Sequence, residues 1–181
     1  MLLTALHRLR AGIVYLALLA FAAPALCAND KELSTWDKYQ IYLKYQNGPT
    51  IIREGKGLKA VTLGMPFAAV LKKLGNPAQR KGYTLLNRTR AWVYRLDPNT
   101  QLQVTGQNTV STISLRGTSK SAYTTAAGAR FGMPAFQIRM FYSTDPVQAS
   151  TGILDYPFRG VRFIFHNGNL NEITVYPPKP R

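Results

Sequence analysis

An internal repeat is the strongest constraint on how this chain can fold. Leu63-Gly64-Met65-Pro66 recurs 68 residues later as Phe131-Gly132-Met133-Pro134. Two further pairs of blocks follow in the same order, namely Leu74–Pro77 with Tyr142–Pro146, which contains one insertion, and Val110–Leu115 with Leu170–Val175. Three matching blocks in one order favour a duplicated unit over coincidence.

Each copy of the repeat is predicted to begin with one short helix. In the first copy Pro66 suits the opening turn, and apolar residues follow it at a helical period, namely Phe67, Val70, Leu71 and Leu74. Gly75 supplies a left-handed stop, and Pro77 prevents continuation. In the second copy Arg139 replaces the equivalent of Leu71, so the apolar face is assembled from Phe131, Ile138, Phe141 and Tyr142.

Runs of residues with high β-propensity follow each helix. In the first copy they are Ala91–Tyr94, Leu102–Val104 and Val110–Leu115, separated by Asp97-Pro98-Asn99 and Gly106-Gln107-Asn108. In the second copy Val161–Phe165 and Leu170–Val175 flank Asn167-Gly168, a pair that favours a type I′ hairpin turn. These connections are too short for parallel crossovers, so each copy is predicted to form an antiparallel sheet with one helix on one face.

The predicted fold class is therefore α+β, with two tandem modules after a cleaved signal peptide. The expected segments are the signal peptide 1–28, an N-terminal aromatic helical segment 29–56, the first module 57–118, the second module 119–177 and an extended tail 178–181. Tyr39, Tyr42 and Tyr45 in the segment 29–56 form an aromatic stripe, which either packs on the first sheet or docks a partner. The repeat leaves open whether the two modules share one sheet.

The N-terminus has the three zones of a secretory signal peptide. A basic stretch with Arg8 and Arg10 precedes an apolar run, 11–23, and a small-residue end, 24–28. The apolar run spans about 20 Å as a helix, which is short of the roughly 30 Å hydrocarbon core of a bilayer. Cleavage after Cys27 fits as well as cleavage after Ala28. Lipid attachment to Cys27 is the alternative, although Leu26 and Pro24 are poor matches to a lipoprotein signal.

These features predict a periplasmic or secreted protein that crosses no membrane. No segment after residue 28 approaches eighteen uninterrupted apolar residues. After cleavage the chain has no cysteine pair, so it is expected to owe its stability to a packed core rather than to disulfides.

Positive charge is concentrated in the first module. The whole chain has 23 Lys and Arg against 8 Asp and Glu, and removal of the signal peptide leaves 21 against 8, or +13. Residues 55–120 contain eleven basic residues against Asp97 alone, whereas residues 121–181 contain six against three. Such a field favours encounter with anionic surfaces and weakens with salt.

The basic residues of the first module are interleaved with aromatic residues. Strand alternation places Arg90, Trp92 and Tyr94 on one face, where arginines and aromatic rings can contact carboxylate or phosphate groups. The predicted partner-binding residues are Lys72, Lys73, Arg80, Lys81, Arg88, Arg90, Trp92, Tyr94 and Arg95. The alternative interpretation is that Trp92 and Tyr94 belong to the core.

Catalytic patterns are sparse, so we expect no enzyme, no metal site and no cofactor. After signal removal His166 is the single histidine, and it lies in the predicted Asn-Gly turn. Without a cysteine it makes neither a supported nucleophilic triad nor a His/Cys metal site. Gly55-Lys56-Gly57 lacks the second element of a phosphate loop.

The repeat resembles the helix-plus-sheet modules of the β-lactamase-inhibitor-protein class and of the small lipoprotein of the outer-membrane β-barrel assembly machine. The resemblance spans about 57–176 as two copies and is carried by Leu63–Pro66, Leu74–Pro77 and the closing Val110-x-x-Ile113. It implies an exported protein-interaction module without chemistry. The chain departs from these classes because it lacks the stapling cysteines of the inhibitors and the lipoprotein signal of the assembly protein.

The leading functional prediction is an exported module that binds an acidic partner protein and inhibits or neutralises it. The alternative partner is an anionic polymer of the cell envelope, either lipopolysaccharide or a glycan. Nucleic acid is less favoured, because export conflicts with it although the charge permits it.

Overall fold

One antiparallel sheet of eight strands organises the described part of the chain. The computed structural model describes residues 48–82, 88–142 and 148–180. The helices are α1 (Phe67–Leu74) and α2 (Ala135–Phe141). The strands are β1 (Ile51–Ile52), β2 (Gln79–Lys81), β3 (Arg90–Asp97), β4 (Thr100–Gly106), β5 (Val110–Gly117), β6 (Thr124–Thr125), β7 (Gln148–Ser150), β8 (Ile153–Tyr156), β9 (Val161–His166) and β10 (Asn169–Val175).

The eight-stranded sheet has the strand order β2-β3-β4-β5-β10-β9-β8-β7, and all of its pairs are antiparallel. Strands β1 and β6 form a separate parallel pair. The fold is therefore α+β with few helices, as the sequence predicts, and one continuous sheet includes strands of both predicted modules.

Two apolar rows cross six strands on one face of this sheet, which we call the core face. The first row is Tyr94, Leu102, Leu115, Ile173, Phe163 and Leu154, and all six are buried. The second row is Trp92, Val104, Ile113, Val175, Val161 and Tyr156. Because side chains alternate along a strand, the residues between these rows lie on the opposite, open face.

Both helices contribute to the core beside these rows. Helix α1 buries Phe67 and Val70, and the Phe67 ring meets Trp92 edge-on at a centroid distance of 4.8 Å. Helix α2 buries Ile138, and Tyr142 directly after it packs against Phe163 at 5.0 Å. The predicted helices and their apolar faces are thus confirmed.

The pairing of β5 with β10 joins the two halves of the sheet. Ile113 lies opposite Val175, Ser114 opposite Thr174, and Leu115 opposite Ile173. Ser114 and Thr174 occupy the same position in the two aligned repeat blocks, so each lies opposite its own counterpart. Their hydroxyl oxygens are 3.0 Å apart.

The Leu-Gly-Met-Pro and Phe-Gly-Met-Pro segments make the same contacts in both halves. Gly64 donates its N–H to the carbonyl oxygen of Val110 at 2.8 Å, and Gly132 donates to Leu170 at 2.9 Å. In return Val110 donates to Met65 at 2.9 Å and Leu170 to Met133 at 2.8 Å. Each segment therefore lies against the start of a strand that the repeat predicts, namely β5 in the first half and β10 in the second.

Several predicted features are refined by the structure. Asn167 and Gly168 have φ angles of 50° and 78°, which are the positive values that the predicted hairpin turn requires. The sequence patterns missed β2, β7 and β8. Residues 48–56, assigned to the N-terminal segment, instead include β1 and a turn, with Ile51 and Ile52 buried. The tail is anchored by the N–H of Lys179, which donates to the carbonyl oxygen of Pro157 at 2.9 Å.

The predicted signal peptide, Cys27 and the tyrosine stripe lie outside the described residues. Within the residues that are described, no helix combines the length and apolar character needed to cross a bilayer.

A buried tyrosine joins α2 to the turn after β1. The Tyr142 hydroxyl donates to the Glu54 carboxylate at 2.6 Å and lies 3.0 Å from the Thr125 hydroxyl. Burial, followed by the negative charge of Glu54, raises the pKa of Tyr142 well above its ordinary value of 10.0. The folded state therefore binds this phenolic proton more tightly than the unfolded chain does.

Replacing Ile173 with alanine is expected to lower the free energy of unfolding by about 3 kcal/mol, because Ile173 is fully buried in the first core row. The matched control is Ile164→Ala on the neighbouring strand, since Ile164 lies on the open face and is partly exposed. Its expected cost is about 1 kcal/mol. Urea unfolding of both variants measures the difference, and equal costs would contradict the assignment of the two faces.

Alkaline pH is expected to destabilise the fold through Tyr142. The stabilisation from its raised pKa is fully present below pH 10 and is lost as the pH rises above 10, with a slope of up to about 1.4 kcal/mol per pH unit. Urea unfolding between pH 9 and 12 should therefore show a shallower slope for Tyr142→Phe than for the native protein. An unchanged slope would exclude Tyr142 as the titrating group.

Candidate binding surfaces

Two arginines flank two aromatic rings at the β2 edge of the core face. The Arg80 guanidinium lies 5.4 Å from the Trp92 ring centroid, and the Arg90 guanidinium lies 5.9 Å from that of Phe67. Since Phe67 also contacts Trp92 edge-on, the four side chains form one contiguous group, which we call the arginine–aromatic cluster. A cation near a ring face is attracted to it, so both guanidinium groups are held in place.

Strand pairing explains how this cluster assembles. Arg80 on β2 lies opposite Trp92 on β3, and Arg90 lies two residues before Trp92 on the same face. Tyr94 lies two residues after Trp92 on the same face, where it pairs with Leu102 in the core and is only 4% exposed. Burial raises the pKa of the Tyr94 hydroxyl, and the positive charge of Arg80 partly opposes the shift. The hydroxyl has no hydrogen-bond partner among the described residues.

An open polar depression of about 420 Å³ borders the cluster. Its lining residues are Thr89, Gly106, Gln107, Asn108, Thr109 and Ser111. Gly106, which pairs with Arg90, is required at the rim because a Cβ there would come within 1.9 Å of the carbonyl oxygen of Thr109. The depression therefore exposes backbone and amide groups next to a cationic edge.

The open face of the sheet presents a polar ladder across its centre. Arg116 on β5 pairs with Glu172 on β10, where the Arg116 Nε donates to the carboxylate at 2.7 Å. Glu172 Oε1 also accepts a hydrogen bond from the Thr174 hydroxyl at 3.2 Å. On the next two strands, Arg162 of β9 donates to Asp155 of β8 through Nη2 at 2.7 Å and through Nε at 3.2 Å.

Asp155 is the most buried carboxylate of this ladder. It is 6% exposed and also accepts a very short hydrogen bond from the Tyr176 hydroxyl. Hydrogen bonding to Asp155 raises the pKa of Arg162, and burial followed by the same carboxylate raises the pKa of Tyr176. Asp155 thus accepts three hydrogen bonds, which hold the side chains of Arg162 and Tyr176 in place at this end of the ladder.

The nine predicted binding residues are divided among four places. Lys72 and Lys73 are exposed near the end of α1, and Arg88 is exposed just before β3. Lys81 and Arg95 belong to the open face, since Lys81 pairs with Ala91 and Arg95 with Gln101. The core face carries Arg80, Arg90, Trp92 and Tyr94. The structure therefore unites Arg80, Arg90 and Trp92, whereas Tyr94 is part of the core.

Acidic groups in the described residues are already engaged within the chain. Asp97 accepts the N–H of Asn99 at 2.7 Å, and Glu54 accepts the Tyr142 hydroxyl. Asp155 and Glu172 are paired with arginines on the open face. Most of the eleven basic residues of 55–120 are exposed, so this half of the molecule has a strongly positive surface.

Sequence reasoning missed the Arg116–Glu172 and Arg162–Asp155 pairs. The first pair requires the register between β5 and β10, which joins residues 56 positions apart. The second requires β8, whose four residues were not predicted as a strand. For the first pair the available signal was Arg116 directly after the first aligned repeat block and Glu172 within the second, but it has no meaning until the blocks are paired.

Comparison with known proteins shows little similarity. No family model matches the chain, and no curated protein matches its sequence. The 1.5 Å crystal structure of an extracellular protein containing a SCP domain from Bacillus anthracis str. Ames is similar with a TM-score of 0.47 and 12% sequence identity. The similarity covers 64% of this chain and 44% of that protein, which is less than half of its length. It does not extend to activity or partners.

Removing the Asp155 carboxylate is expected to destabilise the fold by about 3 kcal/mol, because Asp155→Ala leaves Arg162 and Tyr176 without their acceptor. The matched variant is Glu172→Ala, whose partner Arg116 has a side chain that is 63% exposed. Its expected cost is below about 1 kcal/mol. Chemical unfolding compares the two, and a larger effect for Glu172→Ala would contradict this ranking.

Proposed function

We propose that this chain is an exported, non-catalytic module that binds an acidic partner protein through the basic surface of residues 55–120. The observation that carries the proposal is the charge of this range, with eleven basic residues against Asp97 alone. Asp97 is the first residue of a turn and accepts a backbone hydrogen bond there. The positive field is consequently available to a partner rather than neutralised within the range.

The arginine–aromatic cluster is the proposed centre of recognition. Its guanidinium groups are oriented by Trp92 and Phe67 before a partner arrives, which reduces the entropy lost on binding. Guanidinium groups also bind carboxylates in a bidentate manner, which favours Asp and Glu side chains of a partner. The proposed consequence for the partner is inhibition or neutralisation by coverage of its acidic surface.

The proposal includes export and a tandem origin. Export is supported by the three-zone N-terminus, and it places the protein in the periplasm or outside the cell. The tandem arrangement is supported by the order of one helix followed by four strands in each half, and by the matching hydrogen bonds of Gly64 and Gly132. The pairing of Ser114 with Thr174 gives the same support at the centre of the sheet.

An anionic envelope polymer is the second candidate partner. It is favoured by the distribution of the cations, since Arg80 and Arg90 lie on the core face while Lys81 and Arg95 lie on the open face. A flexible polymer can follow charges around the β2 edge, whereas a rigid protein surface contacts one side. Phosphate groups of lipopolysaccharide would suit the same guanidinium donors.

The test reverses the charges of Arg80, Lys81, Arg88 and Arg90 to Glu. Partner capture from envelope extract is expected to fall roughly 100-fold at low salt, because attraction is replaced by repulsion. The matched control reverses four exposed basic residues elsewhere, namely Arg130, Arg139, Arg159 and Lys179. It changes the net charge equally and should leave most of the binding intact.

Two outcomes separate the candidate partners. A stoichiometric protein captured by the native chain and lost with the first variant supports the acidic protein. Retention on purified lipopolysaccharide without a captured protein supports the polymer. Unchanged binding to both after reversal of the four residues would reject the basic surface altogether.

A further inference from the structure

The two halves of the sheet can be compared position by position. Counting strands outward from the β5–β10 pair makes β2, β3 and β4 correspond to β7, β8 and β9. The strand pairing then gives each residue of one half a counterpart in the other. Tyr94, which pairs with Leu102, corresponds to Tyr156, which pairs with Val161, and both tyrosines are buried. The two halves therefore have the same residue at this core position.

The four residues of the arginine–aromatic cluster, in contrast, are all replaced in the second half. Arg80 corresponds to Ala149, Arg90 to Gly152, Trp92 to Leu154, and Phe67 at the start of α1 to Ala135 at the start of α2. These counterparts are smaller and uncharged, although the strands around them are paired in the same way. The fold therefore does not require two arginines and two aromatic rings here, which indicates that the cluster serves a contact with another molecule.

The polar depression borders a position that is aromatic in the second half. Gly106 pairs with Arg90, and its counterpart on β9 is Phe165, which is partly buried against the core. Because Gly106 has no side chain, the rim of the depression stays open beside Arg90. Gln107 and Asn108 follow in the lining and are exposed, and their amides both donate and accept hydrogen bonds. A ligand that reaches Arg90 can therefore continue into this depression.

The two arginines are spaced like alternate residues of an extended chain. Arg80 lies opposite Trp92, and Arg90 lies two residues before Trp92 on the same face, so the two arginines are diagonal neighbours. Diagonal neighbours in a sheet are about 7–8 Å apart. Residues i and i+2 of an extended segment point to the same side and are about 6.6 Å apart. Two carboxylates at alternate positions of such a segment can therefore each contact one guanidinium.

The cluster presents guanidinium groups rather than open ring faces. Phe67 is 2% exposed, and Arg80 lies over the ring of the partly buried Trp92. Nucleic-acid bases bind by stacking on accessible rings, so the cluster is a poor site for them. A guanidinium has five N–H donors and holds a carboxylate with two of them, which leaves its ring contact in place. The geometry consequently favours a pair of carboxylates.

We propose that the arginine–aromatic cluster binds an extended acidic segment of the partner protein, with carboxylates at two alternate residues on Arg80 and Arg90. The segment continues past Gly106 into the polar depression, where the amides of Gln107 and Asn108 hydrogen-bond its backbone. This proposal rests on the proposed function and specifies which part of an acidic partner is recognised. An extended peptide is favoured over an envelope polymer because its backbone supplies both the carboxylate spacing and the hydrogen-bonding groups for the depression.

Peptides that differ only in glutamate spacing test the proposal. One fluorescein-labelled nine-residue peptide has two glutamates separated by one threonine, and the other has two adjacent glutamates. Their remaining residues are threonine, which favours an extended chain. Fluorescence anisotropy at low salt is expected to show roughly fivefold tighter binding of the first peptide, because adjacent side chains of an extended chain point to opposite sides. Equal affinities would reject the recognition of alternate carboxylates.

Neighbouring residues of β2 supply a matched control. Arg80→Ala is expected to abolish the preference for alternate glutamates, whereas Lys81→Ala removes the same charge from the open face and should retain the preference. Arg80→Glu/Arg90→Glu should instead bind a peptide with two alternate arginines, and this rescue would demonstrate direct contact. Circular dichroism checks the fold of each variant. An equal loss of preference in Arg80→Ala and Lys81→Ala would contradict a site on the core face.

Further outcomes separate this proposal from the proposed function. If the two peptides bind equally but the fourfold charge-reversal variant still loses partner capture, the acidic-partner function stands and recognition of an extended segment is rejected. If purified lipopolysaccharide binds in a manner that depends on Arg80 and neither peptide binds, the extended segment is also rejected, and the cluster is assigned to the polymer.

Discussion

The register between β5 and β10 is the constraint on which the rest of the structure depends. It aligns Leu115 with Ile173 and Ile113 with Val175, and thereby joins the apolar rows of the two halves into rows that cross six strands. A slip by one residue would turn the side chains of one half to the opposite face. The polar residues of these strands, namely Ser114, Arg116, Glu172 and Thr174, would then lie opposite apolar residues. The polar pairs on the open face and the apolar rows on the core face therefore specify the same register.

This register also sorts the charges of the molecule. The carboxylates Asp155 and Glu172 are used on the open face, where they fix Arg162 and Arg116. The first half retains its basic surface, with eleven basic residues against Asp97 alone in residues 55–120.

Local sequence signals predicted the elements that are determined locally. The spacing of Phe67, Val70 and Leu74, ended by Gly75, identified α1, and Asn167-Gly168 identified the turn between β9 and β10. The three-residue strands β2 and β7 lack a periodic pattern, and their place is set by pairing with β3 and β8. That both halves share one sheet depends on a contact between residues far apart in sequence, which a repeat alone does not determine.

The predicted binding residues show the same limit. Alternation correctly placed Arg90, Trp92 and Tyr94 on one face, but only the paired strands show that this face is the core side and that Tyr94 is enclosed. Arg80 and Lys81 are adjacent in sequence and project to opposite faces of β2. A cluster of basic residues in a sequence therefore overstates the size of a single contact surface when the residues belong to a strand.

The short outer strands have a consequence for how the protein behaves in a crowded envelope. Broad sheets are prone to grow by adding strands from other molecules to their free borders, which leads to fibrils. Here one border is the strand Gln79-Arg80-Lys81, which offers three residues of backbone and two positive charges. The other border, Gln148–Ser150, is equally brief. An eight-stranded sheet of this kind can remain dispersed at high concentration, because neither margin is a good template for polymerisation.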